Sequence, residues 1–240
     1  MDGWMDRIGS HDRALDLHCN RHLHSPLTFA AGIGITGVLL SSGPMHSRPS
    51  KMVMTDFHPD VVTNLKHNIY VNNPCADDAS DNTACVLEAA VLDWSAAVPE
   101  NFRLYGASVM IAADCTYCED SNVHLVSAMQ CFLTTMREEI SQEASNLRSS
   151  RVDSCCDDAS RPDSRYLQLL LAQQQPFALV ACTVRHVDTF RHFTQLLVDR
   201  GLRVIDLTLW ARLEGLSAVP AYHYPESIDS IKLLCIHLNF

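Results

Sequence analysis

Three acids and two aromatics stand just past apolar runs, and these are the residues of this chain best placed to do chemistry. Asp56 closes KMVMTD, Asp93 and Trp94 close CVLEAAVLDW, and Asp114 closes ASVMIAAD with Tyr117 three residues on. An acid at the end of a second strand can accept both hydroxyls of a ribose. An indole can stack on an adenine while a carboxylate beside it accepts the exocyclic amine. If the segment after Asp114 is helical, Asp114 and Tyr117 face the same way, one turn apart. The acid would attract and orient an ammonium, and the ring would add cation–π contact of about 0.5–2 kcal/mol. Each residue also has a plainer reading. Asp56 could cap the helix that starts near Pro59, Trp94 could belong to the core, and Asp114 could cap the helix that follows it.

Gly32-Ile33-Gly34-Ile35-Thr36-Gly37 matches G-x-G-x-x-G. Glycines in a strand-to-helix turn let a cofactor approach the backbone and meet free amides at a helix N-terminus. Sheets that bind NAD, FAD or S-adenosylmethionine share this motif, and a tight turn that binds nothing would also satisfy it. Cys115 and Cys118 form a C-x-x-C, but no second pair exists to complete a zinc site, so packing is the expected role. His18 and His22 would share a helix face without a third ligand. Residues 1–26 therefore read as a loosely ordered arm.

Positioning these residues requires strands that end where the acids begin. LTFAAGIGITGVLL reads as a short strand, a glycine turn and a buried helix, and KMVMTD (51–56) as the second strand. Val61, Val62, Leu65 and Ile69 then recur at helical spacing until Asn72, Asn73 and Pro74 stop them. Further strands are predicted at 85–94, 107–114, 177–184, 202–210 and 230–240. One helix is predicted from the fourth strand to about Arg137, and another over VDTFRHFTQLLVDRG, closed by Gly201. Alternating strands and helices imply an α/β fold with a doubly wound, mostly parallel sheet covered on both faces. The last two strands have no helical crossover between them, so the final strand is predicted to run antiparallel. Residues 27–240 read as one domain, and the Ser/Asp/Arg-rich stretch 141–163 as a disordered insertion.

The chain has 240 residues, of which 47% are hydrophobic, enough for one substantial core. Its net charge of −10 disfavours nucleic acid as a partner and suits a basic protein. No stretch is long and apolar enough to span a bilayer. Ten cysteines without an export signal predict reduced thiols and a cytoplasmic setting.

Taken together, AAGIGITGVLL, VMTDFHPDVVTNLKHNI, VLDW, IAADCTYCED and ACTVRHVDTFRHF resemble the family 16 (seven-β-strand) lysine methyltransferases, in order and over about residues 27 to 240. The similarity is greatest to the branch acting on translation elongation factor 2. It implies a class I, Rossmann-like fold with S-adenosylmethionine as cofactor and a lysine of elongation factor 2 as acceptor, in a monomer. It also implies cofactor contacts at Ala30, Ala31, Gly32, Gly34, Asp56, Asp93, Trp94 and Ala113, with Asp114 and Tyr117 as the D-x-x-Y catalytic pair. Two departures stand out. Thr28, Phe29 and Ala30 replace the family's acid-Leu-Gly, so the acid for the methionine amino group is absent. The upstream Trp-bearing segment that closes over the cofactor also has no evident counterpart, which implies a truncated N-terminus. A cofactor- or partner-binding module without strong catalysis is the alternative. An NAD-dependent oxidoreductase fits GxGxxG alone.

Overall fold

A computed structural model describes residues 25–42, 49–72, 85–148, 175–209, 211 and 230–239. Seven strands form one sheet: β1 (Pro26–Phe29), β2 (Lys51–Asp56), β3 (Val86–Val91), β4 (Val109–Ala113), β5 (Phe177–Thr183), β6 (Leu202–Asp206) and β7 (Ile231–Leu238). Their order is β3-β2-β1-β4-β5-β7-β6. The pairings from β3 to β5 are parallel, and β7 runs antiparallel to both β5 and β6. The predicted class I architecture with an antiparallel last strand is what the chain adopts.

Alternation along the strands divides the core between two faces. Leu27, Phe29, Val53, Met110 and Ala112 point to one face, where they meet Leu125, Met129, Phe132 and Leu133 of α4 (Glu119–Arg148). Phe102 of α3 (Pro99–Tyr105) and Phe193 and Leu197 of α5 (Val187–Asp199) join the same cluster. On the other face Met52 and Met54 pack against Leu65 and Ile69 of α2 (Pro59–Asn72). There α1 (Ile35–Ser41) lies so close that a Cβ on Gly37 would come within 2.1 Å of the Met54 sulfur. Gly37 thus serves helix–sheet packing. α5 ends as predicted, with Gly201 at φ +69 and its amide on the Val198 carbonyl at 2.9 Å.

Several boundaries differ from expectation. The third strand stops at Val91, because Asp93 turns the chain into a 3₁₀ turn over Trp94–Ala96 and then into α3, which periodicity did not reveal. The sixth strand ends at Asp206, whose carboxylate takes the Thr208 amide at 2.9 Å and bends the chain. α4 runs to Arg148, so 141–148 is helical and not part of a structureless insertion. Residues 141–148 are largely polar, and polarity alone does not stop a helix. Positions 149–163, and the arm up to residue 24, lie outside the described residues.

Candidate functional site

The strand order reverses beside β1, whose neighbours β2 and β4 leave in opposite directions, and ligands of doubly wound sheets bind at that carboxyl edge. The Ala30–Gly34 turn, Asp56, Asp93, Trp94, Ala113 and Asp114 all stand at or just past the carboxyl ends of β1 to β4, whereas His18 and His22 lie outside the described residues. The β1 turn carries Ala30 at φ 46, Gly32 at φ 53 and Gly34 at φ 82. The glycines do different jobs. A Cβ on Gly34 would sit 2.3 Å from a Leu65 methyl, so this glycine lets the turn pack on α2. A Cβ on Gly32 would meet nothing within 4 Å, leaving open space against the backbone.

Asp56 is what shapes that turn. Its Oδ2 accepts the Gly32 amide at 3.1 Å and its Oδ1 the His58 amide at 3.3 Å. An ionised carboxylate has roughly four acceptor positions, so each oxygen retains one for a ligand. The cap for α2 is the ring of His58, whose Nδ1 accepts the Asp60 amide at 3.2 Å. The Asp56 carbonyl accepts the Leu92 amide at 2.9 Å, tying the ends of β2 and β3 together. Asp93 then caps the 3₁₀ turn: its Oδ1 accepts the Ser95 hydroxyl at 2.7 Å and the Ser95 amide at 2.8 Å. Those two bonds hold its carboxyl below the usual range. Trp94 is half-buried and stacks on Phe29, with centroids 5.7 Å apart and planes 25° apart. The plain core reading of Trp94 is thus partly right.

On the other side of β1, Ala113 ends β4 exposed, and Asp114 follows at φ 54. Left-handed backbone is costly for most residues and least so for Asn and Asp. The Asp114 amide donates to the Ala181 carbonyl at 2.7 Å, extending the β4–β5 pairing, while its carboxylate turns toward the end of β5. Oδ2 accepts from the Arg185 guanidinium at 2.6 Å, and Oδ1 accepts the Thr183 amide at 3.4 Å. Asp114 therefore does not cap α4, which starts at Glu119. Nor are Asp114 and Tyr117 on one helix turn, since 114–118 is an irregular loop. What they share is Arg185, which bonds Asp114 and lines the same hollow as Tyr117. Tyr117, which is 64% exposed, lines a hollow of about 110 Å³ together with Thr183, Arg185, Thr189 and Phe190.

Arg185 and Thr183 are the site residues that sequence reasoning missed. The run ACTVR was noticed, but nothing in its spacing says that a guanidinium 71 residues away answers Asp114. The two cysteines of the C-x-x-C part company. Cys115 is buried, its thiol pushed up to about 12 by desolvation, while backbone and side-chain bonds from Ser121 and Asp120 at the start of α4 lower Cys118. Thr28, where the resemblance places an acid, is 3% exposed and its hydroxyl has no hydrogen-bond partner among the described residues.

A family model described as "Lysine methyltransferase" matches residues 12–151, more than half of the chain. The chain belongs to the lysine methyltransferase family. Membership implies S-adenosylmethionine as the methyl donor. Among curated relatives, the human protein-lysine N-methyltransferase EEF2KMT is 25% identical over 179 residues, covering 74% of this chain and 43% of that protein. Its counterpart in Bos taurus is 22% identical over 188 residues, 73% of this chain and 44% of that one. The chain thus spans less than half the length of these relatives. Among solved structures, the CMeT domain of the citrinin polyketide synthase aligns over 89% of this chain and 46% of its own, at 10% identity and TM-score 0.45.

Proposed function

We propose that this chain is the catalytic domain of an S-adenosylmethionine-dependent protein-lysine N-methyltransferase whose acceptor is a lysine of translation elongation factor 2. The observation that carries the reading is Asp114: an acid in left-handed backbone at the switch-point edge, aimed at a cation beside an exposed tyrosine. The names of the relatives support the acceptor class. Acidic net charge and the free thiols of Cys115, Cys118, Cys131, Cys182 and Cys235 support a basic protein partner and a cytoplasmic setting. No helix among the described residues is long and apolar enough to cross a membrane. The chain is proposed to act as a monomer.

The cofactor fits the β1–β3 side on two observations, the open space over Gly32 and the unused acceptor positions of Asp56. In this reading Asp56 receives the ribose hydroxyls, and the backbone at Ala30, Ala31, Gly32 and Gly34 cradles the chain of the cofactor. Trp94 lies along the adenine, Asp93 borders its amine, and Ala113 leaves room at the edge of β4. S-adenosylmethionine, when bound, supplies an electrophilic sulfonium methyl. Asp114 and Tyr117 draw in the acceptor lysine, orient it, and exclude water. Desolvation lowers the lysine pKa, so the amine is neutral when it attacks. The amine held by Asp114 and Tyr117 would take the methyl from the bound cofactor, whose sulfur keeps the C–S electron pair, and would lose one proton to solvent. Alignment supplies most of the acceleration.

The unpartnered hydroxyl of Thr28 favours a second reading, in which the chain binds cofactor weakly and turns over slowly. Loss of a charge-assisted hydrogen bond at the methionine end corresponds to roughly tenfold to hundredfold weaker binding. Incubation with labelled cofactor and an extract lacking this activity, followed by mass spectrometry, tests the acceptor. Label on a lysine of elongation factor 2 is expected, and label only on another protein would reject that substrate. Calorimetry with S-adenosylhomocysteine tests the site, and no saturable heat from folded protein would remove the cofactor.

A further inference from the structure

Asp114, the proposed anchor of the acceptor, already holds a cation that belongs to the chain itself. Arg185 reaches it from the loop between β5 and α5, with a guanidinium nitrogen 2.6 Å from Oδ2. The loop is braced for this. The Val184 amide donates to Ser230 at 2.8 Å, and the Arg185 amide donates to Thr183 at 2.9 Å. Thr183 in turn gives its own amide to Asp114, so carboxylate and guanidinium are presented by one rigid corner. Yet the pair is not sealed, since Arg185 and Asp114 have side chains 54% and 47% exposed. Exposed pairs of this kind hold weakly, and an incoming cation can exchange with them. The adjoining hollow of about 110 Å³ is small beside the several hundred of a cofactor-sized site and is of the size to take one side chain.

Taking Asp114 as the acceptor's anchor, we propose that Arg185 is a built-in competitor for the acceptor cation: its guanidinium occupies Asp114 until a lysine ammonium displaces it. Arg185 is then a specificity-determining residue. It weakens capture of an isolated lysine, so productive binding needs additional contacts from the surrounding acceptor protein. The opposite role is that Arg185 steadies Asp114 for the lysine, and the two roles move binding in opposite directions.

The probe is n-butylammonium, the head of a lysine side chain, titrated into the whole chain and followed at the Thr183 amide by NMR. Neither cofactor nor turnover is needed, so the result stands apart from any failure to methylate. Displacing an exposed ion pair corresponds to about a two- to fivefold change in affinity. Arg185→Gln is expected to bind the probe that much more tightly than the parent chain, Arg185→Lys to stay near the parent, and Asp114→Asn with Arg185→Gln to lose binding. Both single variants alter an exposed side chain, and the amide spectrum itself reports whether the fold is kept. Equal or weaker binding in Arg185→Gln, or no saturable shift in any of the proteins, overturns the competitor role. Where methylation is measurable, Arg185→Gln is expected to lower KM for the acceptor two- to fivefold without lowering kcat. A fall in kcat at unchanged KM would instead make Arg185 a residue that positions Asp114.

Discussion

On the β1–β3 side of the sheet edge, an acid organises backbone; on the β4–β5 side, an acid faces another side chain. Asp56 spends its bonds on the amides of Gly32 and His58, close neighbours on the same edge. Asp114 reaches across to Arg185 and the Thr183 amide on β5 and the loop beyond. Among the described residues each half also contains one non-glycine residue in left-handed backbone, Ala30 and Asp114. Asp114 is a residue type that tolerates this conformation, and its carboxylate finds partners there. Ala30 has no such compensation, and the cost of that conformation is about 1–2 kcal/mol. The glycine half is therefore set by where the chain can bend, and the acid half by which charges meet.

If that division holds, Asp114→Ala should produce the largest effect and confine it to one half. Loss of the group that orients the amine is expected to lower methyl transfer about a hundredfold, with cofactor affinity kept. Single-turnover assays beside calorimetry measure both, and a variant with near-parent turnover would break the assignment. Gly34→Ala should strike the other half, because its Cβ lands on Leu65 at positive φ. A loss of roughly 1–3 kcal/mol is expected in urea unfolding, and an unchanged midpoint would mean that the turn is softer than its contacts imply. Asp56→Ala is expected to weaken S-adenosylhomocysteine about tenfold while leaving butylammonium binding at the β4–β5 corner as it was. Similar losses at both corners would show that the halves are coupled. The smallest change, Ala30→Gly, relieves strain and is expected to raise stability by about 0.5–1 kcal/mol. A lower unfolding midpoint would contradict the strain at that position.

Strands and the longer helices were legible because burial imposes a period. Met52, Val53 and Met54 alternate between two cores, and Leu125, Met129, Phe132 and Met136 recur at helical spacing. The seven-residue α3 was not legible, because a helix so short carries too few turns for a pattern and starts from a proline that also suits a loop. The far end of α4 was misjudged for a related reason: its residues are largely polar and form no apolar stripe to announce it. Among the candidate site residues, Asp56, Trp94 and Asp114 were legible because each stands at the end of a largely apolar run. Their partners were not.

By itself the sequence determined the order of the strands and longer helices, the antiparallel last strand and the acids at the carboxyl edge, since those follow from local periodicity and from the crossover that parallel neighbours require. Only the tertiary structure decided what each acid faces. Asp56 turned to the Gly32 amide, Asp93 to Ser95 and Asp114 to Arg185. A carboxylate accepts from whichever donor the fold brings within about 3 Å, and that distance, unlike a strand's alternation, leaves no repeating mark along the chain.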